Sequence, residues 1–530
     1  RFPNQTFKYS WEASEKLPPE ETPETGKRAE VRFGNRKMTG FIVSISDKIP
    51  EDCPVSAEKI RSVTKIIDKE PLFTPEIYEF AVWISRYYIC SIGEAVFSII
   101  PSRAKREVSC PGFSFEDDIT AKTANQLSDE QINAVNSVLK SAETGNVSYH
   151  YLYGPTGTGK TEVFLQCAEW FLNKGKGVIY LVPEIGLTPQ VVKAVTARFG
   201  NTAAVLHSGL TPSQKLSEWR RIMHKEARIV VGARSAVFAP VPDLGMIIID
   251  EEHDGSYKSG ETPRYHARQA AMHRCSALGI PLLMGSATPS VEAWQLMKTG
   301  RLIRHTLTKR LAGGAMPKIH VIDLSKTENS GCISEDLADE IRKTVEHKKQ
   351  TILFLNRRGF THFFRCNSCG YEIKCKNCSV PMTYHKAENR LRCHYCGWSI
   401  QPPSSCPKCS SLDVGYSGFG TEYIETETRA KFPNAKIIRI DTDALTKKGE
   451  LQEKLDSFRN GEYDIMLGTQ MVAKGLNFPK LQLVGVVLAD TGLHMPDFRA
   501  SERTFSLITQ VAGRAGRYFP DGKVFVQTYN

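Results

Sequence analysis

The sequence predicts a multidomain α/β protein with a small β-rich domain at its N-terminus and two parallel-sheet lobes, the second interrupted by a cysteine-rich insertion. The 530 residues suffice for about three or four domains. From residue 127 onward, short apolar segments alternate with longer helical ones, which is typical of parallel α/β sheets. Eight of the 14 cysteines form Cys-x-x-Cys pairs between Cys366 and Cys409. In a large chain without a secretory signal, such pairs indicate metal sites in a reducing cytosol.

Composition limits the class of protein. Lysine and arginine number 69 against 58 acidic residues, the net charge is +11, and 41% of the residues are hydrophobic. This is ordinary globular composition, so wholesale disorder is excluded, and the basic excess indicates nucleic acid only weakly. No stretch approaches the roughly 18 consecutive apolar residues of a membrane span. No signal region follows Arg1, so we expect a cytoplasmic protein that is either processed or part of a longer chain.

The first hundred residues read as a unit of their own. Residues 29–33 and 41–45 alternate apolar and polar positions around a turn at 34–37, which predicts a β-hairpin with a basic tip. A helix is predicted over 75–88 from apolar residues at helical spacing. The predicted division of the chain is 1–105 for the N-terminal domain, 106–126 for a linker, 127–316 for the first lobe, 317–365 and 410–530 for the second lobe, and 366–409 for the insertion.

Strands are predicted in both lobes from short apolar runs. In the first lobe they are 149–153, 177–182, 228–231, 246–249 and 281–284. In the second lobe they are 320–322, 351–355, 437–440, 465–467, 483–488 and 524–527.

A glycine-rich segment follows the first of these strands and opens a predicted helix, which is the context that a phosphate-binding loop requires. Its glycines let backbone N–H groups wrap the phosphates, Lys160 reaches the β and γ oxygens, and the Thr161 hydroxyl ligates Mg²⁺. The residues predicted to bind the nucleotide are Gly154, Pro155, Thr156, Gly157, Thr158, Gly159, Lys160 and Thr161.

A second motif, Asp250-Glu251-Glu252-His253, ends an apolar strand with carboxylates, at the edge where ligands lie in doubly wound sheets. Asp250 is placed to hold Mg²⁺, and Glu251 to orient and deprotonate an attacking water. An acidic pair at a strand end could also be a solvated edge. The phosphate loop earlier in the chain favours catalysis.

A third motif, Gln510-Val-Ala-Gly-Arg514-Ala-Gly-Arg517, closes the second lobe. Two arginines three apart on a helical face suit contact with a γ-phosphate, in the manner of an arginine finger. A lone arginine pair is more often a surface salt-bridge site, and here the companion motifs favour the phosphate.

The cysteine pairs predict two tetrahedral zinc sites, because each Cys-x-x-Cys knuckle supplies two thiolates. The spacing of Cys375 and Cys378 from Cys393 and Cys396 is close to that of a zinc ribbon. A nested arrangement would then join Cys366 and Cys369 to Cys406 and Cys409. Sequential or crossed pairings stay open, and a redox role is the alternative for any single pair. We expect the insertion to lose its fold without metal.

In this order, the phosphate loop, Asp-Glu-Glu-His, Gly285-Ser-Ala-Thr-Pro289 and Gln-x-x-Gly-Arg-x-Gly-Arg resemble the motifs of superfamily 2 helicases. Five further segments and the cysteine block narrow the resemblance to the PriA family of bacterial replication-restart helicases: Val182–Gln190, Leu206–Leu210, Gly232–Phe238, Leu355–Phe360 and Gly468–Gly475. The resemblance covers nearly the whole chain. It implies two RecA-like lobes and an ATP-dependent 3′→5′ DNA helicase that recognises stalled forks or recombination intermediates and initiates primosome assembly.

The resemblance also implies roles for single residues. Gln131 matches an adenine-reading glutamine, and the nested zinc arrangement is the family's. Residues expected to couple nucleotide state to movement are His253, Ser286, Thr288 and Gln510. An aromatic-rich loop is expected to contact DNA through Tyr257, Lys258, Arg264, Tyr265, His266 and Arg268, whose cations and rings together suit single-stranded DNA. At a loop such residues are more often packing elements.

The implied cofactors are ATP, Mg²⁺ and two Zn²⁺. The implied partners are forked and single-stranded DNA, primosome proteins, single-strand binding protein and the loading machinery of the replicative helicase, for a nucleoid-associated monomer without a membrane. One alternative is a fork-binding primosome scaffold whose ATP site is a conformational switch. Another is an RNA helicase or duplex translocase, which the acidic motif and the cysteine block disfavour.

Three features depart from the family pattern. Lys8 stands where the family commonly has an acidic residue, in a pocket for a 3′ DNA end that Gly34 and Arg61 still match. A lysine would prefer a phosphate where the acid takes a hydroxyl. Residues 106–126 leave no room for the family's winged-helix module, and the family continues beyond Asn530. A lineage variant or missing segments would explain both absences.

Overall fold

The computed structural model describes residues 6–11, 22–49, 56–101, 125–183, 189–311, 315–326, 331–355, 362–366, 369, 371–385, 388–412, 414–417, 421–440, 450–469, 478–493, 495, 497–519 and 521–529. Residues 106–124 of the predicted linker lie outside these ranges. So do residues 184–188, 356–360 and 470–475, which belong to segments that carry the family resemblance.

The chain divides into two compact units. The first unit comprises Arg1–Leu152, Thr161–Gly285 and Leu296–His305. The second unit comprises Tyr153–Lys160, Ser286–Gln295 and Thr306–Asn530. The phosphate loop therefore groups with the second unit, although the helix that follows it belongs largely to the first.

The first unit begins with a three-stranded sheet in the order β2–β1–β3, formed by β1 (Arg28–Phe33), β2 (Arg36–Phe41) and β3 (Lys65–Ile66). Strands β1 and β2 pair antiparallel up to Phe33 and Arg36, so only Gly34 and Asn35 form the turn. The hairpin prediction is confirmed, but its second strand was placed too late, at 41–45. A two-residue turn with Gly34 at φ +61° is enough to reverse the chain, and pairing resumes at once.

Two helices follow this sheet, α1 (Pro75–Tyr87) and α2 (Ile92–Ile99). Thr74 caps α1, and Ser91 with Glu94 forms a capping box on α2. Buried apolar residues of α1 recur at helical spacing, as predicted. Within the first unit α1 is tied to α7 (Ala267–Leu278), since Arg274 Nε donates to Glu76 at 2.9 Å. The ring of Trp83 also stacks on His273, with centroids 3.9 Å apart.

The larger sheet of the first unit has seven strands in the order β10–β4–β9–β8–β5–β7–β6. Its strands are β4 (Tyr149–Tyr153), β5 (Gly177–Leu181), β6 (Ala203–Leu206), β7 (Ile229–Gly232), β8 (Leu244–Asp250), β9 (Leu282–Ser286) and β10 (Ile303–Thr306). Neighbours from β6 to β9 run parallel. The other helices of this region are α3 (Asp129–Glu143), α4 (Lys160–Asn173), α5 (Pro189–Phe199), α6 (Pro212–Met223) and α8 (Val291–Lys298). The sequence analysis predicted the other five strands and missed β6 and β10.

The second unit contains a six-stranded parallel sheet in the order β11–β21–β20–β12–β19–β18. Its strands are β11 (Lys318–Asp323), β12 (Gln350–Phe354), β18 (Ile437–Ile440), β19 (Ile465–Gly468), β20 (Leu481–Val486) and β21 (Lys523–Thr528). The helices are α9 (Glu335–Glu346), α10 (Thr421–Lys431), α11 (Glu450–Asn460), α12 (Asp490–Leu493) and α13 (Ala500–Ala512). Apolar residues on both faces of the central strands are buried, as helices on both sides of a parallel sheet require.

The cysteine-rich insertion belongs to a separate antiparallel sheet in the order β16–β15–β14–β13–β17, which extends beyond the predicted bounds 366–409 at both ends. Its strands are β13 (His362–Cys366), β14 (Thr383–His385), β15 (Arg390–Arg392), β16 (Ser399–Ile400) and β17 (Val414–Ser417). Its buried core is small and includes Phe364, Met382 and Leu391 beside two cysteines. The predicted fold class is confirmed. Among the described residues, no helix is long and apolar enough to span a bilayer.

Candidate nucleotide site and cysteine clusters

The phosphate loop has the backbone that the sequence predicts. Gly157 and Gly159 lie at φ +87° and +77°, a region that side-chain-bearing residues avoid. A Cβ on Gly154 would lie 2.5 Å from the Leu307 carbonyl oxygen, so the close approach of this backbone needs glycine. Lys160 begins α4 and is only 8% exposed. Its ammonium donates to the carbonyls of Gly154 at 2.7 Å and Pro155 at 3.1 Å, which holds it over the loop.

Within the second unit, this loop contacts the turn that carries the arginine pair, here called the arginine turn (Gly513–Arg517). Thr156 Oγ1 donates to the Gly513 carbonyl at 2.9 Å. A Cβ on Gly157 would lie 3.5 Å from Arg517 Nε. Arg517, predicted from sequence to meet the γ-phosphate, therefore lies beside the phosphate loop.

The other predicted coupling residues of the second unit are buried. Ser286 Oγ accepts a hydrogen bond from the Thr288 backbone N–H at 2.9 Å, which closes a tight turn after β9. Gln510 is buried on α13, shortly before the arginine turn.

In the first unit, the acidic motif ends β8 as predicted. Asp250 Oδ1 accepts the Glu251 N–H at 2.9 Å, and Oδ2 accepts the Tyr180 hydroxyl at 3.3 Å. Burial and then the negative charge of Asp250 raise the pKa of Tyr180, which keeps this hydroxyl a donor. Glu251 has φ +47°, a left-handed conformation unusual for a residue with a side chain. Its carboxylate lies 3.5 Å from Nδ1 of His253.

Sequence reasoning missed Glu252. Its side chain is buried, accepts the Tyr151 hydroxyl at 3.1 Å and forms an ion pair with Arg268. Its position directly after an apolar strand was the signal that could have predicted a buried carboxylate. The catalytic interpretation was instead given to its neighbours Asp250 and Glu251.

The aromatic-rich loop is only partly exposed. Tyr257 is 1% exposed, and its hydroxyl donates to the carbonyls of Leu181 at 3.1 Å and Asp250 at 2.6 Å. Tyr265 and Arg268 are 5% exposed. The structure therefore uses these three side chains for packing and for holding the end of β8, and their rings and guanidinium do not face solvent.

The exposed part of this loop meets the N-terminal helices of the same unit at Tyr88. The His266 backbone N–H donates to the Tyr88 hydroxyl at 3.1 Å. The Lys258 ammonium lies 5.4 Å from the Tyr88 ring centroid and donates to the Arg264 carbonyl. Burial, and then the charge of Arg264, lowers the pKa of Lys258. DNA contact stays a prediction for Lys258, Arg264 and His266.

Gln131, predicted to read adenine, is buried in the first turn of α3. Its Oε1 accepts the Ser128 N–H at 2.8 Å as part of a capping box. In the N-terminal domain, Arg61 Nη1 donates to the Gly34 carbonyl, so two of the three predicted pocket residues meet. Lys8 is exposed beside Phe7, whose ring packs edge-on against Phe33 with centroids 4.9 Å apart.

The eight cysteines of the insertion form two clusters, each with four Sγ atoms within 4.8 Å of one another. One cluster is Cys366, Cys369, Cys406 and Cys409, and the other is Cys375, Cys378, Cys393 and Cys396. This is the nested grouping. Four thiols at such distances suit one tetrahedral metal ion.

The knuckle turns explain how the chain presents these thiols. The residue that follows the second cysteine of a knuckle has positive φ at Ser379 (+57°), Gly397 (+75°) and Ser410 (+60°). The Ser379 and Ser410 N–H groups return to the carbonyls of Cys375 and Cys406 at 2.8 and 2.9 Å. Each turn therefore curls the backbone around its two sulfurs.

Four family models match the chain. They are described as the PriA 3'DNA-binding domain (residues 3–101), the DEAD/DEAH box helicase (residues 128–296), the PriA DNA helicase Cys-rich region domain (residues 375–400) and the helicase conserved C-terminal domain (residues 408–519).

Relatives named "Replication restart protein PriA" match the chain, and three of them illustrate the similarity. The protein of Treponema pallidum is 51% identical over 505 residues, covering 95% of this chain and 76% of the relative. The Bacillus subtilis protein is 45% identical, covering 78% of this chain and 52% of its own length. The Haemophilus influenzae protein is 34% identical, covering 97% of this chain and 80% of its own length.

Proposed function

The chain belongs to the PriA family of replication restart proteins and is an ATP-dependent DNA helicase, and from this premise we propose how it works. It recognises stalled replication forks or recombination intermediates, unwinds DNA with 3′→5′ polarity and initiates primosome assembly. The observation that carries the proposal is the contact of the phosphate loop with the arginine turn through Thr156 and Gly513. In phosphoryl transfer, catalysis consists mainly of positioning and charge neutralisation, and these two elements supply both.

On this proposal the chain's own residues divide the work on ATP. Lys160 turns from the loop carbonyls to the β and γ oxygens, and the glycine N–H groups hold the remaining phosphate oxygens. Arg514 and Arg517 neutralise the charge that develops on the γ-phosphate. Gln131 reads the adenine. Mg²⁺, held by Thr161 and Asp250, would neutralise the charge of the phosphates.

Glu251 is the proposed base that orients and deprotonates water. Its left-handed backbone costs on the order of 1 kcal/mol, and such strain collects at functional sites. The neighbouring His253 ring is placed to fix the direction of this carboxylate. Together with Ser286, Thr288 and Gln510, it is proposed to transmit nucleotide state.

We propose that DNA binding affects the carboxylates of Asp250 and Glu252 through the aromatic-rich loop. Tyr257 links the loop to the Asp250 main chain, and Arg268 links it to Glu252. A movement of Lys258 or Arg264 on binding single-stranded DNA would therefore act on the strand end that carries Asp250.

The proposed domains follow the sequence boundaries. Residues 1–105 bind a 3′ DNA end, with Lys8, Gly34 and Arg61 in the pocket, and 106–126 link them to the lobe at 127–316. The second lobe is 317–365 and 410–530, and 366–409 hold two Zn²⁺ in the two cysteine clusters. Primosome proteins, single-strand binding protein and the helicase-loading machinery are the proposed partners.

The test is ATP hydrolysis and fork unwinding by the full chain and by Lys160→Ala. We expect DNA to stimulate hydrolysis and Lys160→Ala to lower it about 10²–10³-fold, since a group that stabilises transition-state charge is lost. Lys298→Ala is the matched control, because Lys298 is exposed at the end of α8. Forks with and without a 3′ nascent end test polarity and the role of Lys8. Hydrolysis without unwinding would favour the scaffold.

A further inference from the structure

A short segment of the second unit, here called the crossing segment (Leu307–Leu311), runs along the phosphate loop directly after β10. The Leu307 N–H donates to the Tyr153 carbonyl at 2.8 Å. The Leu311 N–H donates to the Gly157 carbonyl at 3.0 Å. The crossing segment is therefore fixed at one end to the last residue of β4, directly before the phosphate loop, and at the other end to Gly157 within the loop.

Arg310, which the sequence analysis did not single out, extends from this segment to the arginine turn. Its Nη2 donates to the Gly513 carbonyl at 3.0 Å. Its Nη1 donates to the Ala315 carbonyl at 3.0 Å and lies 3.4 Å from that of Ala515. Two of these acceptors flank Arg514 in sequence. One guanidinium thus fixes the main chain on both sides of a proposed phosphate-contacting arginine.

The local charges indicate that the contacts between Arg310 and the arginine turn serve an anion site. Burial, and then the positive charge of Arg517, lowers the pKa of Arg310. Nε of Arg310 is buried and has no acceptor among the described residues. Two neighbouring guanidinium groups repel each other, and phosphate oxygens would relieve that repulsion.

We propose that Arg310 is a positioning residue for ATP hydrolysis. By binding the carbonyls of Gly513 and Ala515, it sets where Arg514 and Arg517 lie relative to the phosphate loop. The inference rests on the proposed role of these two arginines. A lysine could not replace Arg310, since an ammonium lacks the planar fork that reaches separate carbonyls in fixed directions.

The experiment measures kcat and KM for DNA-stimulated ATP hydrolysis, and the Kd for ADP, in the full chain and in Arg310→Ala and Arg310→Lys. We expect kcat to fall about 10²-fold in both variants, because a misplacement of about 1 Å can have that effect. Because ADP has no γ-phosphate for the arginines to contact, its Kd should change less than about threefold. Retained ADP binding also shows that the variants are folded. Arg304→Ala, on the exposed β10, is the control and should match the wild type.

A double-mutant cycle with Arg517→Ala decides whether Arg310 acts through the arginine turn. Once Arg517 is gone, we expect Arg310→Ala to lower kcat much less than in the wild type, because residues acting as a unit are non-additive. The proposal would be overturned if Arg310→Ala lowered kcat by the same factor with and without Arg517. A normal kcat in Arg310→Lys would also overturn it. Normal kcat in Arg514→Ala and Arg517→Ala would instead refute the arginine roles in the proposed function, whatever Arg310 does.

Discussion

The strand end of the first unit and the arginine turn of the second unit are held in place by different means. At the strand end, buried side chains make the contacts: Tyr180 on Asp250, Tyr257 on the Asp250 main chain, and Arg268 on Glu252. At the arginine turn, side chains from elsewhere bind main-chain carbonyls, as Thr156 and Arg310 do at Gly513.

This difference suggests separate physical roles. A buried polar network is costly to break, because every group left unpaired pays its full desolvation. The strand end therefore contributes to the stability of its unit as well as to function. The Gly513 carbonyl accepts from both Thr156 and Arg310, so the loss of one contact leaves it with a donor and should appear mainly as a change in turnover.

Arg268→Ala should have the largest effect on stability, since it removes the cation that forms an ion pair with the buried Glu252 carboxylate. Breaking such a pair costs about 3–5 kcal/mol. We expect the free energy of unfolding, measured in urea by tryptophan fluorescence, to fall by about this amount. Arg264→Ala, an exposed arginine of the same loop, is the control and should cost less than about 0.5 kcal/mol. Equal effects of the two variants would contradict the assigned network.

Tyr257→Phe should have a smaller effect on stability. The ring stays packed, but the carbonyls of Leu181 and Asp250 lose a donor at 3.1 and 2.6 Å. Leaving buried acceptors unsatisfied costs about 1–3 kcal/mol. DNA stimulation of ATP hydrolysis should fall as well, because the proposed link to Asp250 is cut. Tyr87→Phe, whose ring is largely exposed, should change neither quantity. Normal stimulation in Tyr257→Phe would show that DNA acts by another route.

Local features of the sequence predicted much of the site. The phosphate loop, the acidic strand end and the cysteine knuckles depend on residues close together in the chain, and the structure forms each of them. Strands β6 and β10 were missed for identifiable reasons. Strand β6 reads Ala-Ala-Val-Leu, with few β-branched residues, and β10 is a mostly exposed strand at the edge of its sheet.

The features that sequence did not predict depend on long-range contacts. Tyr257, Tyr265 and Arg268 form the pattern of a nucleic-acid loop, yet the same residue types serve equally well in packing. Their contacts are with residues elsewhere in the chain: Leu181 for Tyr257, Phe238 for Tyr265 and Glu252 for Arg268. Arg310 belongs to no motif, and two of its acceptors, the carbonyls of Gly513 and Ala515, lie 203 and 205 residues further along the chain. No local spacing could have revealed that contact.

Thr156→Val should have the smallest effect on stability of the three substitutions, and it tests how the arginine turn is held. The substitution removes one hydrogen bond, to the Gly513 carbonyl at 2.9 Å, in a partly buried position. A hydrogen bond worth about 0.5–1.5 kcal/mol lowers kcat roughly two- to tenfold on its loss when it is made fully only in the transition state. The Gly513 carbonyl keeps its hydrogen bond from Arg310 at 3.0 Å, so the free energy of unfolding should stay within about 0.5 kcal/mol of the wild type. Thr156→Ser keeps the hydroxyl and should restore kcat. A loss of stability as large as that of Tyr257→Phe would mean that the arginine turn, like the strand end, depends on its side-chain contacts to stay folded. The two regions would then not differ in the way argued above.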